Sequence, residues 1–213
     1  MSLKLKVCGL TLENQIEDLI ALNIDFLGFI FYEKSPRFAL KNLSLNKLRN
    51  FEHTGKIGVF VNESLEKVLE ISEKSSLNFV QLHGDETPNF VENLRKKLNP
   101  EIKIIKVVRV NNAGIKIPEN IDEIDFLLFD TDSKNYGGTG KTFPWQWLDN
   151  IEIPLPFFLS GGISLGNIKN IEKITTKPFS LDINSKFESE AGIKDLTKIK
   201  QIKHYIDNFN KLK

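Results

Sequence analysis

Short apolar runs alternate with amphipathic stretches along the whole chain of 213 residues. Eight of these runs are nearly continuous in apolar residues, which is typical of parallel strands buried on both faces. The predicted strands are Leu3–Cys8, Asp25–Phe31, Lys56–Val61, Asn78–Leu82, Ile102–Val108, Asp125–Asp130, Phe157–Ser160 and Pro178–Ile183. Eight strands separated by helical or loop segments favour an α/β fold, a closed (β/α)₈ TIM barrel, as one domain over residues 1–213.

The segments between the strands carry the helical period of apolar residues. The predicted helices are Leu12–Leu22, Leu65–Ser75, Pro88–Leu98, one that starts near Ser164, and Lys194–Phe209. Gly114 and Pro118 predict that residues 111–120 form a loop with at most a short helix. An open doubly wound sheet is the alternative fold. It usually carries a G-x-G-x-x-G turn after its first strand, whereas this strand ends in Cys-Gly-Leu-Thr.

Composition places the chain among ordinary globular proteins. The apolar fraction is 40%, the charged fraction is 27% and the formal net charge is +1. This near balance of positive and negative charges does not indicate nucleic acid or a membrane as partner. The single cysteine cannot form an internal disulfide, which favours a reducing compartment. The amino terminus shows no signal-peptide pattern, and we expect a cytoplasmic protein.

In a barrel of this type, the active site is built at the carboxyl ends of the strands and in the loops that follow. Two glycine-rich stretches fall there, Gly137–Gly140 and Ser160–Gly162, and either one is a turn or a backbone cradle for phosphate. The other candidates at strand ends, with the loop around the first glycine stretch, are Cys8, Arg37, Asn62, His83, Asp130, Tyr136–Thr142 and Asp182–Ser185. The set fits a small phosphorylated anion.

Taken alone, several of these residues have a second interpretation. Cys8 is either a small buried apolar residue or a group at the barrel mouth, and Asp130 is either a loop cap or a catalytic carboxyl group. His83 either lines the pocket or serves the structure. His53 and His204 are expected in helical surface segments, and the three histidines show no metal-ligand spacing, so no metal is expected.

Six motifs in order resemble the phosphoribosylanthranilate isomerase family of tryptophan biosynthesis. Lys6-Val7-Cys8-Gly9 is similar to the family's opening K-[IV]-C-G. The other five motifs are Gly28–Phe31 with Lys34–Arg37, Gly58–Asn62, Gln81–Gly84, Tyr136–Phe143 and Leu159–Gly162. One site departs from the pattern: the family usually reads D-x-[SN]-S-G-[VI]-E after the eighth strand, and this chain has Lys186 at the glycine.

The resemblance implies an isomerase that converts N-(5-phosphoribosyl)anthranilate to 1-(2-carboxyphenylamino)-1-deoxyribulose 5-phosphate by an Amadori rearrangement, without a cofactor. It implies Cys8 as general base, Asp130 as general acid and Arg37 as the group that holds the anthranilate carboxylate. The further residues expected to bind substrate are His83, Gly138, Gly140, Ser160, Gly161, Gly162, Asp182, Asn184 and Ser185. The partner is then a small phosphorylated molecule, and the protein is a monomer or a homodimer.

Three other functions stay open from the residues. Two are other phosphosugar barrels: an indole-glycerol-phosphate synthase, which uses catalytic Lys and Glu residues, and a ProFAR-type isomerase, which uses paired Asp residues, one of them where this chain has Cys8. The third is a divergent, non-catalytic barrel that binds a phosphorylated metabolite, with Lys186 marking a lost site.

Overall fold

Eight parallel strands close into a barrel in a computed structural model that describes residues 2–111, 114–131 and 143–211. Each strand pairs with the next along the chain, and β1 pairs with β8 to complete the ring. The strands are β1 (Lys4–Cys8), β2 (Phe26–Ile30), β3 (Lys56–Phe60), β4 (Phe79–Leu82), β5 (Lys103–Val110), β6 (Phe126–Thr131), β7 (Phe157–Leu159) and β8 (Ser180–Ile183). The predicted barrel is confirmed, and the open sheet is wrong.

Helices cover the outside of the barrel, and local sequence explains where they begin. The hydroxyl groups of Ser44, Ser64 and Thr87 accept hydrogen bonds from the first turn of the helices that follow them, which is the usual N-cap arrangement. The α-helices are α1 (Glu13–Ala21), α2 (Leu45–Asn50), α3 (Leu65–Lys74), α4 (Pro88–Lys97) and α5 (Leu196–Lys211). Shorter 3₁₀ helices span Ala39–Lys41, Ile121–Glu123, Trp145–Asn150, Ile168–Lys173 and Ser185–Phe187. A hairpin of β9 (Glu188–Glu190) and β10 (Ile193–Lys194) follows β8.

Two apolar layers form the core. One lies between the strands and the helices, and the other fills the inside of the barrel. At the amino ends of the strands the inner layer consists of phenylalanine rings in mostly edge-to-face contact, such as Phe26 on Phe79 and Phe126 on Phe158. These rings close one end of the barrel, so polar inward-facing residues gather at the other end.

Three expectations about local structure are wrong. The helix expected near Ser164 is a 3₁₀ helix that begins at Ile168, because the side chain of Asn167 bonds both the Ser164 N–H and the Gly162 carbonyl and holds the segment as a turn. The last helix begins at Leu196, and Lys194 lies in β10 instead. His53 lies in a loop before β3 rather than in a helix, and its ring bonds the Ile24 carbonyl and the Gly55 N–H.

None of the helices in the described ranges is both long and apolar enough to cross a membrane.

Candidate active site

Cys8 and Asp130 lie at the same end of the barrel, because β1 and β6 are parallel and each residue stands at or next to the carboxyl end of its strand. Cys8 belongs to the inner layer and is 5% exposed. Gly28 on the neighbouring strand makes room for the thiol, since a Cβ atom there would lie 2.9 Å from the Cys8 Sγ. The loop glycine Gly9, at φ +77°, leaves room for the side chains of Arg37 and Asn184. The lone cysteine is therefore placed at the inner edge of the barrel mouth.

A chain of hydrogen bonds leads from the barrel interior to Asp130. The Lys6 Nζ donates to the Gln81 Oε1 at 2.5 Å and to the Asp182 Oδ2 at 3.0 Å. The Gln81 Nε2 lies 2.8 Å from the His83 Nδ1, and the His83 Nε2 lies 3.4 Å from the Asp130 Oδ2. The sequence analysis did not single out Lys6 and Gln81, although Lys6 is two positions before Cys8 and Gln81 two before His83 on the same strand faces.

The order of donors and acceptors in this series of hydrogen bonds determines the tautomer of His83. An ammonium group can only donate, so the amide oxygen of Gln81 must be the atom that accepts from Lys6. The amide nitrogen then donates to the Nδ1 of His83, which leaves the ring proton of the neutral imidazole on Nε2. That proton faces the carboxyl group of Asp130. Both interpretations of His83 therefore fit its position, since the residue belongs to a buried hydrogen-bond network and also borders the barrel mouth.

Asp130 is held from two sides and remains open to the mouth. Its Oδ1 accepts the N–H of Thr131 at 2.8 Å, and its side chain is 14% exposed. Gly161 lies so close to Asp130 and Thr131 that a Cβ atom would contact both, and its φ of +86° favours glycine. The glycine in the loop after β7 thus allows this loop to approach the carboxyl group.

The charges around Cys8 oppose one another. Burial raises the pKa of the thiol above its ordinary value, Lys6 and Lys194 act to lower it, and Asp182 acts to raise it. Burial also raises the pKa of Asp182, against the attraction of Lys6. The Oδ1 of Asp182 is buried and has no hydrogen-bond partner among the described residues. A buried carboxylate oxygen without a partner is suited to accept a hydrogen bond from a hydroxyl group.

Arg37 is already engaged by an acidic residue. Its Nε and Nη2 donate to the carboxylate of Glu188, the latter at 2.8 Å, and Glu188 also accepts from Lys194. Lys194 donates further to the Oδ1 of Asn184 at 2.9 Å. The Nη1 atom of Arg37 takes no part in the ion pair with Glu188, so it is the part of the guanidinium best placed for a second anion.

The loops expected to hold phosphate are only partly described. Ser160, Gly161 and Gly162 follow β7 and are partly exposed, and Asn184 and Ser185 follow β8 and are partly exposed as well. Gly138 and Gly140 lie outside the described residues. Lys186 is exposed, and its backbone is not in the left-handed region, so the departure from the family's glycine is compatible with this turn.

Glu188 and Lys194 were not identified from the sequence. Both belong to the hairpin after β8, and no local sequence pattern predicts that this hairpin folds back towards the barrel mouth. Within the part of the chain that the structure describes, no group of three or more His, Cys, Asp or Glu residues is arranged to hold a metal ion.

Comparison with known proteins agrees with the geometry. Residues 5–204 match the family model described as N-(5'phosphoribosyl)anthranilate (PRA) isomerase. The N-(5'-phosphoribosyl)anthranilate isomerase of Parabacteroides distasonis is 37% identical, over 92% of this chain and 90% of that protein. The crystal structure of the Thermotoga maritima phosphoribosyl anthranilate isomerase superposes with a TM-score of 0.77 at 29% identity, covering 97% of this chain and 99% of that chain.

A further solved phosphoribosyl anthranilate isomerase is in complex with reduced 1-(o-carboxyphenylamino)-1-deoxyribulose 5-phosphate. It superposes with a TM-score of 0.74 at 26% identity, covering 97% of this chain and 99% of that chain.

Proposed function

This chain belongs to the N-(5'-phosphoribosyl)anthranilate isomerase family of tryptophan biosynthesis, and on that premise we propose that Cys8 and Asp130 carry its reaction as general base and general acid. The substrate is N-(5-phosphoribosyl)anthranilate, and the product is 1-(2-carboxyphenylamino)-1-deoxyribulose 5-phosphate. The observation that carries the proposal is the placement of one thiol and one carboxyl group at the same barrel mouth, joined by a buried polar network. We further propose that residues 1–213 act as one catalytic domain.

The first step opens the ribose ring. Asp130 in its acid form gives a proton to the ring oxygen, the bond between this oxygen and C1 breaks, and the nitrogen lone pair forms a C1=N iminium. Asp130 is left as a carboxylate, which the Nε2 proton of His83 and the N–H of Thr131 face. Positioned general acids of this kind contribute about 10²–10⁴ in rate.

The second step removes the proton on C2. The iminium makes this proton acidic, and the thiolate of Cys8 takes it, which moves the C2–H electron pair into a C1=C2 double bond and neutralises the nitrogen. The resulting enaminol becomes the ketoamine when C1 gains a proton and the C2 hydroxyl loses one. These two transfers return Cys8 to thiolate and Asp130 to acid, so the isomerisation is balanced and needs no cofactor.

Substrate binding is divided between the two sides of the mouth. The free edge of Arg37 faces the anthranilate carboxylate, with Glu188 holding the guanidinium in place. The unpaired Oδ1 of Asp182 accepts a sugar hydroxyl, and His83 borders the reacting sugar. The phosphate lies against the glycine-rich loops, for which the expected residues are Gly138, Gly140, Ser160, Gly161, Gly162, Asn184 and Ser185. Monomer or homodimer, and a cytoplasmic location, stay predictions.

The test is an assay of the purified protein with N-(5-phosphoribosyl)anthranilate, in which consumption of the anthranilate compound is followed by its fluorescence. We expect fluorescence to fall with time and the gene to restore growth of a tryptophan auxotroph that lacks this step. A folded protein that binds the reduced product analogue but neither consumes substrate nor restores growth would instead be a non-catalytic phosphosugar-binding barrel.

A further inference from the structure

Lys6 is an ammonium group enclosed by the barrel directly below the mouth. The residue has no exposed surface, and it faces the same side of β1 as Cys8. Its Nζ donates to Asp182 at 3.0 Å and to Gln81 at 2.5 Å, which holds the ammonium group on the Cys8 side of the strand. An ammonium group has three N–H donors, and these two acceptors use two of them.

The other charged groups near the thiol are less free to act on it. Lys194 faces Cys8 from the hairpin, but its ammonium is shared between Glu188 and the side chain of Asn184. Asp182 faces Cys8 from β8 with the opposite charge. Asp130 acts to raise the pKa of Asp182, and His83 acts to lower it. Among the charges that favour the thiolate, Lys6 has the largest effect on the pKa of Cys8, although burial outweighs it.

We propose that Lys6 is a positioning residue for Cys8, whose ammonium binds the sulfur and stabilises the thiolate inside the apolar barrel. Asp182 and Gln81 fix the ammonium in that place. The predicted effect of Lys6 on activity rests on the proposed role of Cys8 as base, whereas its predicted effect on the ionisation of the Cys8 thiol does not.

A role of this kind changes the pH profile in a way that a structural role does not. An aspartic acid ordinarily loses its proton at lower pH than a thiol does. The active enzyme, with a thiolate and a carboxylic acid together, is then a minor protonation state, and its fraction is constant between the two pKa values. Raising the pKa of Cys8 by one unit lowers the activity on this plateau about tenfold and moves the alkaline limb to higher pH by the same amount.

The direct test is titration of the thiol by the ultraviolet absorbance of the thiolate. The three tyrosines also absorb near this wavelength when they ionise, so the same titration of Cys8→Ser is subtracted; because the chain has one cysteine, the difference belongs to Cys8. We expect the midpoint in Lys6→Met to rise by on the order of one pH unit or more. The double variant Lys6→Met/Asp182→Asn leaves no unpaired buried charge, which protects folding, and its midpoint should rise by a smaller amount.

Lys4→Met is the matched control, because Lys4 lies on the same strand but stacks over Phe26 and Phe179 towards the closed end of the barrel. Its midpoint should equal that of the unchanged protein. A Lys6→Met protein that folds and titrates at the unchanged midpoint would overturn the proposal. If Lys6→Met does not fold, the midpoint of the double variant decides in the same way. Failure of Cys8 as base would appear separately, as full activity in Cys8→Ser.

Discussion

At the scale of single residues, the site depends on how each polar group is satisfied by its neighbours. His83 shows this most clearly, because the donors and acceptors of Lys6 and Gln81 determine which ring nitrogen carries the proton. Strand alternation could place Cys8 and Lys6 on one face from the sequence alone. It could not place Glu188 against Arg37, since these residues lie on different elements and meet only because the hairpin folds back over the mouth.

Arg37 offers the clearest test of substrate binding at this scale. We expect Arg37→Ala to raise the KM about 10–100-fold with a smaller effect on kcat, because a hydrogen bond to a charged group is worth roughly 1.5–3 kcal/mol. Arg37→Lys keeps the charge but loses the planar fork, and its KM should lie between the two. Steady-state kinetics on the three proteins measures this, and an unchanged KM in Arg37→Ala would exclude a contact with the carboxylate.

At the scale of elements, the hairpin of β9 and β10 is one of the parts that the sequence did not predict, and α2 is another. The first four strand-to-strand connections have clear helical patterns or N-cap residues, and three of them contain an α-helix that was predicted to within a residue or two. The connections that follow use 3₁₀ helices, which have no strong apolar period and are fixed by side-chain contacts such as those of Asn167. The hairpin is fixed in the same way, by Glu188 and Lys194.

Glu188 should make the stability of this hairpin depend on pH. Burial alone would raise the pKa of Glu188, but hydrogen bonds from Arg37 and the charge of Lys194 lower it overall. A lowered pKa in the folded state means that the ionised group stabilises the fold above its ordinary pKa of 4.5, and that this contribution is lost as the pH falls through the folded value.

We therefore expect Glu188→Gln to lower the Tm at neutral pH and to approach the Tm of the unchanged protein in acid. Thermal unfolding followed by circular dichroism across this range is the measurement. Glu190→Gln, on the exposed part of the same strand, is the matched control and should have little effect at any pH. A Tm difference for Glu188→Gln that does not change between neutral and acid pH would contradict the role of its charge.

At the scale of the whole molecule, the barrel could be predicted because its rule is simple. Eight apolar runs of strand length, each followed by a connection, allow few arrangements, and all eight runs became strands with ends shifted by a few residues at most. The same rule predicts where the site lies, since the carboxyl ends of the parallel strands share one mouth. The rule does not predict how side chains pack inside the barrel. There, five phenylalanine rings close one end, and a lysine, a glutamine and an aspartate occupy the other.

The central claim is that one thiol and one carboxyl group at this mouth perform the proton transfers. The most direct measurement is the turnover of N-(5-phosphoribosyl)anthranilate by purified Cys8→Ser and Asp130→Asn, each shown to be folded by its unfolding transition. The account predicts that each variant loses about 10²–10⁴ in kcat. A folded variant of either kind that turns over substrate at close to the unchanged rate would contradict it.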